Sequence, residues 1–191
     1  MQHVAVLHLG HENDRVVIDV IRLLPVRTIW LDLLHSGPFR RGDGVDDAVV
    51  RTLAEVVNFC ALPPILVQRD GLRVIDGTHR LAAAQARGEK FIRARIVNCT
   101  DEDAYILAVT VNTLHGLPLS RADSVSSARR ILNWHPDWPD RAIASATGLR
   151  THTIARLRQA ADRATLVGGR SGEEARRRHP AAVLQGKPSH A

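Results

Sequence analysis

The sequence predicts an α+β protein, in which an α/β N-terminal domain is followed by an all-α domain. Two observations lead to this prediction. Short β-branched runs alternate with helical patterns up to about residue 117, and only helical spacing follows. Residues 1–139 carry no net charge, whereas residues 140–191 contain 10 basic and 4 acidic residues. The predicted domains are residues 16–117 and 118–162, with a flexible basic tail over 163–191.

Length and composition limit the class of protein. The chain has 191 residues, of which 45% are hydrophobic, so one or two domains with cores are expected. No apolar run approaches the roughly 18–20 residues of a membrane span, and the first 15 residues lack the pattern of a signal peptide. Cys60 and Cys99 lie far apart and lack metal-site spacing. We expect a cytoplasmic, nucleoid-associated protein that binds neither metal nor membrane.

The first elements are predicted from residue type and spacing. Residues 16–26 are rich in Val and Ile, which predicts a strand limited by Pro25. Residues 28–35 are expected to form a short helical turn before the loop SGPFRRGDG. Between Asp46 and Phe59, apolar residues at i, i+3/i+4 and i+7 predict a helix.

The later elements follow the same signals. Strands are predicted over 65–67, 72–75 and 91–98, and helices over 78–87, 101–114 and 120–134. Gly71 suits a left-handed backbone in the hairpin turn, and Gly88 suits the end of a helix. Thr100 is expected to cap the second of these helices, and Ser120 with Asp123 to begin the third with a capping box.

A break is expected between the second and third of these helices. Gly116 and Pro118 supply it, because neither residue favours a helix interior. The turn HPDWP then leads to the last pair of helices.

The stretch from Asp140 to Gln159, DRAIASATGLRTHTIARLRQ, predicts two short helices joined by a tight turn, the arrangement of a helix-turn-helix. Its apolar positions are Ile143, Ala144, Leu149, Ile154 and Leu157. Ala144 provides a small residue where the helices cross, and Gly148 tolerates the positive φ needed after the first helix. Asp140 and Thr151 are the expected N-caps.

Six polar side chains lie off this apolar stripe and are the predicted DNA contacts: Arg141, Arg150, Thr151, His152, Arg156 and Gln159. Arg suits guanine, Gln suits adenine and Thr suits phosphate. The excess of basic residues falls in the same segment, as expected for a nucleic-acid interface. The predicted partner is double-stranded DNA, bound by a homodimer that reads two half-sites. The alternative is a pair of ordinary core helices with a solvated basic face.

The turn Asp76-Gly77-Thr78-His79-Arg80 predicts a phosphate or nucleotide site. A strand leads through Gly77 into a helix whose N-terminal N–H groups and dipole favour an anion, and Arg80 offers a guanidinium fork. The candidate ligand is a nucleotide, CTP or ATP, and no other cofactor or catalytic residue is expected. Two structural alternatives remain. Gly77 serves backbone geometry alone, and His79 is a structural histidine.

These residues also carry a family resemblance. LPPILVQRDGLRVIDGTHRLAAAQARG resembles the central box of the ParB/sulfiredoxin superfamily, and Asn112-Thr113-Leu114-His115 followed by LPLS is similar to the second ParB box. The resemblance covers about residues 16–161. The order of parts and HPDWPDRAIASATGLRTHTIARLR are most similar to StrR-type regulators of antibiotic biosynthesis. The resemblance implies a ParB/sulfiredoxin-like fold and a bacterial, promoter-binding transcriptional regulator rather than an enzyme.

Departures from the family pattern narrow this expectation. ParB partition proteins have a Gly-Glu-Arg-Arg turn that binds and helps hydrolyse CTP, whereas this chain has Thr78 and His79, and Val111 replaces the usual Glu before Asn. Sulfiredoxins need a nucleophilic Cys at the position of Thr78, so sulfiredoxin redox activity is not expected of this chain.

Two alternative functions stay open. One is a phosphotransferase or nucleotidase with Asp76 or His79 as base and Arg80 as clamp. The other is a CTP-switched partition-type DNA clamp.

Overall fold

A computed structural model of the chain describes residues 14–37, 44–56, 58–115 and 119–163. In chain order its elements are α1 (Asp14–Leu23), β1 (Val26–Trp30), β2 (His35–Ser36), α2 (Asp47–Ala54), β3 (Ile65–Gln68), β4 (Arg73–Asp76), α3 (Thr78–Ala86), β5 (Phe91–Val97), α4 (Asp101–His115), α5 (Arg121–Trp134), α6 (Asp140–Thr147) and α7 (151–163). Short 3-10 turns cover Leu31–Leu33, Phe59–Ala61 and Asp70–Leu72. No helix in these ranges is long and apolar enough to cross a membrane.

The five strands of the described residues form one mixed sheet in the order β1-β5-β3-β4-β2. β1 runs antiparallel to β5, β5 parallel to β3, β3 antiparallel to β4, and β4 parallel to β2. Leu66 of the central strand pairs with Asp76 at the end of β4. The sheet therefore places the start of α3 beside its own centre.

Helices cover both faces of the sheet. Neighbouring residues of a strand point to opposite faces, so the central strand packs against helices on both sides. On one face, Leu66 packs with residues of α1 and α4, including Val17 and Leu107. On the other face, Ile65 and Val67 pack with Leu81 of α3. All three strand residues are at most 4% exposed, so β3 is buried on both sides.

The strand predicted for residues 16–26 is wrong, because residues 14–23 form α1 and β1 begins at Val26. Val17 and Ile21 are buried in the core, with Val20 and Leu24 packed beside them. These positions follow the helical spacing i, i+3, i+4 and i+7, and packing of that face outweighs the β-branched residue types.

Two predicted helical segments differ in extent. Of the predicted turn over 28–35, residues 28–30 belong to β1 and only Leu31–Leu33 are helical. α2 begins as predicted after Asp46, whose carboxylate accepts hydrogen bonds from the N–H groups of Ala48 and Val49, but it ends at Ala54 rather than near residue 59.

The hairpin, the following helix and two helix caps are confirmed. Gly71 has φ +65° between β3 and β4, and Gly88 has φ +70° after α3. The hydroxyl of Thr100 accepts from the N–H of Asp103, and the hydroxyl of Ser120 accepts from the N–H of Asp123. Gly116, Pro118 and most of the loop after β2 lie outside the described residues, as does most of the predicted tail.

The chain divides into two units after Ile154, within α7. The first unit contains the sheet and α1 to α6, and the described part of the second is the helical segment 155–163. The predicted domain boundaries after residues 117 and 162 stay predictions.

Candidate functional site

The turn between β4 and α3 brings Asp76 and Arg80 into an ion pair. Nη2 of Arg80 donates to Oδ2 of Asp76 at 2.7 Å, while Nη1 donates to the carbonyl oxygens of Pro63 at 2.6 Å and Pro64 at 3.1 Å. The side chains of Arg80 and Asp76 are only 18% and 27% exposed. Both terminal nitrogens of the guanidinium therefore have protein partners, and a phosphate that takes them must displace one.

Gly77 is required by packing. Its φ is +98°, and a Cβ at this position would lie 2.5 Å from Cγ2 of Ile65, a fully buried core residue. Such a contact is far inside van der Waals distance and cannot relax, since Ile65 belongs to the central strand. The glycine thus has a structural reason that is independent of any bound phosphate.

His79 joins α3 to the start of α2. Its Nε2 accepts a hydrogen bond from the backbone N–H of Asp46 at 3.1 Å. At the other end of α2, Nη1 of Arg87 donates to the carbonyl oxygen of Ala54 at 2.6 Å. α3 therefore holds α2 at both ends, and His79 has the structural contact that the sequence left open.

All five residues of the turn line one cavity of about 580 Å³. Its other walls come from Ile18 and Ile21 of α1, Val49 of α2, Arg95 of β5 and Val111 of α4, among others. The sequence grouped the five residues of the turn but did not indicate these walls, because they come from residues distant in the chain. The helical spacing of the apolar residues in α1 and α2 could have indicated two of these walls.

The cysteines do not supply a nucleophile at this cavity, since neither belongs to its lining. Burial raises the pKa of the Cys99 thiol to about 12, and the carboxylates of Asp103 and Asp101 add to the effect. Cys99 is therefore a protonated thiol at neutral pH. Cys60 is exposed. Within the described ranges, no three His, Cys, Asp or Glu side chains form a group that could hold a metal ion.

The turn after α6 has the backbone that was predicted for it. Gly148 has φ +69°, and a Cβ there would lie 3.1 Å from Cγ2 of Thr113 in α4. The hydroxyl of Thr113 lies 3.0 Å from the carbonyl oxygen of Ala146, to which it can donate. Ile143 and Ala144 of α6 are buried. α4 thus supports the end of α6, a role of Thr113 that the sequence did not indicate.

The expected N-caps are each displaced by one residue. Pro139 occupies the cap position of α6 with extended backbone, and Asp140 is the first helical residue. The fixed φ of proline suits a position just before the helix. α7 begins at residue 151, so Arg150 takes the cap position expected for Thr151. Both expected caps lie in the first turns, where Asp140 still meets the positive end of the helix.

The six predicted DNA contacts are all exposed: Arg141, Arg150, Thr151, His152, Arg156 and Gln159. Within the described residues, the three arginines have no carboxylate at ion-pair distance, whereas Arg80 does. Four of the six belong to the first unit and two, Arg156 and Gln159, to the second. Their roles in DNA contact stay predictions.

Known proteins place the chain in a family. The sequence profile of the ParB N-terminal domain matches residues 19–113. Transcriptional regulator NovG of Streptomyces niveus is 44% identical over 129 residues, covering 68% of this chain and 40% of that protein. The streptomycin biosynthesis operon possible regulatory protein of Streptomyces griseus is 40% identical over 147 residues, covering 77% of this chain and 40% of that protein. The chain spans about 40% of the length of these curated relatives.

A solved structure agrees with the fold. A Pnob8-like ParB-N domain aligns with a TM-score of 0.50 and 13% sequence identity, covering 69% of this chain and 66% of that chain. The resemblance inferred from the central box and from the order of parts is confirmed by these matches. The mixed sheet flanked by helices is that of a ParB N-terminal domain, and the chain belongs to the ParB-like family, which it shares with a named transcriptional regulator and a possible regulatory protein of the streptomycin biosynthesis operon.

Proposed function

We propose that this protein is a sequence-specific, DNA-binding transcriptional regulator of a biosynthetic gene cluster, and that it acts as a homodimer. The observation that carries the proposal is the segment from α6 to α7. A buried helix face, a left-handed Gly148 and a following helix carry exposed polar residues at each predicted contact position. Relatives with 40–44% identity are named as regulators, which supports the same function.

The electrostatics of this segment suit DNA. Arg141, Arg150 and Arg156 are exposed and have no carboxylate partner in the described ranges, so their charge is available to phosphates or guanine edges. The ten basic residues after residue 139 outnumber the acidic ones by six. We assign the neutral ParB-like domain to positioning or regulating this basic segment.

The experiment that tests the proposal uses the full chain. Genomic fragments retained by the protein define an operator, and fluorescence anisotropy compares it with a shuffled duplex at fixed salt, since salt alone changes affinity. Replacing Arg156 by Ala should weaken operator binding by about 1–3 kcal/mol if Arg156 reads a guanine. Its binding to the shuffled duplex should be weakened less.

Arg27→Ala is the matched control, because Arg27 is also exposed but lies on β1. It removes the same charge and should leave the operator preference unchanged. Equal losses in the two variants would remove Arg156 from the base-reading set. If the wild-type protein shows no preference for any genomic fragment, the proposal itself fails.

A nucleotide at the turn between β4 and α3 stays a prediction from the sequence, and it is the alternative occupant of this cavity. The five predicted residues share a cavity of sufficient size, which supports it. Binding through Arg80 requires exchange of its contacts with Asp76 or the prolines. Calorimetry with CTP and ATP on the wild type and Arg80→Ala tests this. We propose no phosphotransferase activity, because both candidate bases have protein partners. Asp76 is paired with Arg80, and His79 accepts a hydrogen bond from the N–H of Asp46. The names of the curated relatives, a transcriptional regulator and a possible regulatory protein, favour regulation.

A further inference from the structure

The walls of the 580 Å³ cavity are mainly apolar. Twelve of its 21 lining residues are Ile, Leu, Val or Pro, and they come from α1, α2, α4, the sheet and the loops before α2 and β3. A nucleoside triphosphate, which carries several negative charges, needs several unpaired cations around it. The cavity instead offers a large apolar surface, the kind of lining that binds drug-sized organic molecules.

α2 also faces this cavity with apolar side chains that are incompletely packed. It contains no buried residue, although Val49 and Leu53 lie one turn apart on one face of the helix. Both line the cavity and are only half-buried. His79 and Arg87 hold the helix in place at its two ends. The apolar face of α2 is thus fixed over an open space with which it makes incomplete contact.

The arginines that line the cavity differ in whether a carboxylate lies beside them. Arg80 is paired with Asp76, and Arg22 lies 3.7 Å from Asp19. Arg95 is half-buried and donates to the carbonyl oxygen of Leu24, but no carboxylate of the described residues lies at ion-pair distance from it. A partly desolvated guanidinium without a counter-ion favours an anionic group on the ligand.

We propose that this cavity binds an apolar, drug-sized organic molecule that carries a single acidic group, with the apolar body between α1 and α2 and the acid at Arg95. This ligand class goes beyond DNA binding and differs from a nucleotide. Binding needs no DNA, so a failure here leaves the proposed regulator standing, and a failure of DNA binding leaves this site standing.

The test uses two fluorescent probes with the same aromatic body. 1-Anilinonaphthalene-8-sulfonate has one acidic group, and N-phenyl-1-naphthylamine has none. We expect saturable 1:1 binding of the sulfonate by the full chain, at least about tenfold tighter than the neutral probe because of the charge at Arg95. Ligand binding should also raise the unfolding temperature, which separates it from probe adsorption to unfolded chain.

Two pairs of variants locate the probe. Arg95→Gln should weaken the sulfonate about tenfold and leave the neutral probe within about twofold, whereas Arg93→Gln, on the same strand but outside this cavity, should change neither. Val49→Glu places a carboxylate on the wall and should weaken both probes. Thr52→Glu adds the same charge to α2 outside the cavity lining and should not.

Three results would overturn the proposal. One is the absence of saturable binding by folded wild-type protein. Another is equal affinity for the two probes, which requires no variant and so does not depend on whether Arg95→Gln folds. The third is displacement of the bound probe by CTP or ATP at concentrations below those of the probe, which would assign the cavity to a nucleotide.

Discussion

Gly148 combines two constraints at a single residue. Its backbone is left-handed, which costs a non-glycine residue about 1–2 kcal/mol. A side chain there would also press against Thr113 of α4, 3.1 Å from the Cβ position. Gly88 has nearly the same φ, +70°, but nothing lies within 4 Å of its Cβ position. The two glycines therefore separate the backbone cost from the packing cost.

Replacing each of these glycines by Ala should reveal that difference. We expect Gly88→Ala to lower the free energy of unfolding by about 1–2 kcal/mol, the conformational cost alone. Gly148→Ala should lower it further, and should also weaken operator binding because the turn precedes α7. Urea unfolding measures the first effect and anisotropy the second. Equal losses of stability would mean that Thr113 moves aside at no cost.

Residues whose role is local could be predicted from the sequence. The left-handed backbones of Gly71 and Gly148 follow from turn chemistry between apolar runs, and the caps at Thr100 and Ser120 follow from residues three positions later. The close approach of Ile65 to Gly77 could not be predicted, because it depends on how β3 and β4 pair. For the same reason the sequence left open whether Gly77 serves a bound phosphate or backbone geometry alone.

At the scale of elements, α1 shows where residue type misleads. Val and Ile favour strands on average, but what decides is the surface on which the side chains pack. Here α4 and the sheet leave a groove that accepts one helical face, with Val17 and Ile21 buried in it. α2 ends at Ala54, before its apolar pattern does, and the members of that pattern at Val49 and Leu53 line a cavity rather than a core.

The start of α4 is connected to the sheet by a polar network. Nε2 of Gln68, a buried residue of β3, donates to Oδ1 of Asp101 at 2.9 Å and to the carbonyl oxygen of Cys99 at 3.1 Å. Arg73 of β4 donates to the same carboxylate oxygen. The hydrogen bond from Gln68 and the guanidinium of Arg73 lower the pKa of Asp101.

This network makes part of the stability pH-dependent. The Asp101 carboxylate stabilises the fold fully above its unfolded-state pKa of about 3.9, and this contribution is lost as the pH falls through the lower folded-state value. Asp101→Asn should therefore be destabilising at pH 7, and its difference from the wild type should narrow below about pH 4. Unfolding in urea across this range measures it. Asp70→Asn, at an exposed site, controls for loss of one charge.

At the scale of the whole molecule, the charge divides along the chain. The neutral part contains the ParB-like domain, and the basic part begins with α6. A short helix-turn-helix binds DNA weakly by itself, so the proposed dimer needs two half-sites on one face of the duplex. The spacing of those half-sites is a testable geometric property.

Inserting about 5 base pairs, half a helical turn, between the half-sites should abolish joint binding, and inserting about 10 should restore part of it. Anisotropy on the three duplexes measures this, with light scattering to give the mass of the complex. Affinity that does not vary with the insertion would mean that each chain binds alone.

α4 contacts both proposed sites, because it lines the cavity and supports the end of α6. Val111 and Asn112 line the cavity, and the next residue, Thr113, supports the end of α6 at Ala146 and packs beside Gly148. If a ligand shifts this last turn of α4, the two sites share a coupling free energy, and that coupling is reciprocal. The factor by which the ligand changes operator affinity must equal the factor by which the operator changes ligand affinity. A closed thermodynamic cycle of four titrations would then give the coupling free energy between the ligand in the cavity and the operator.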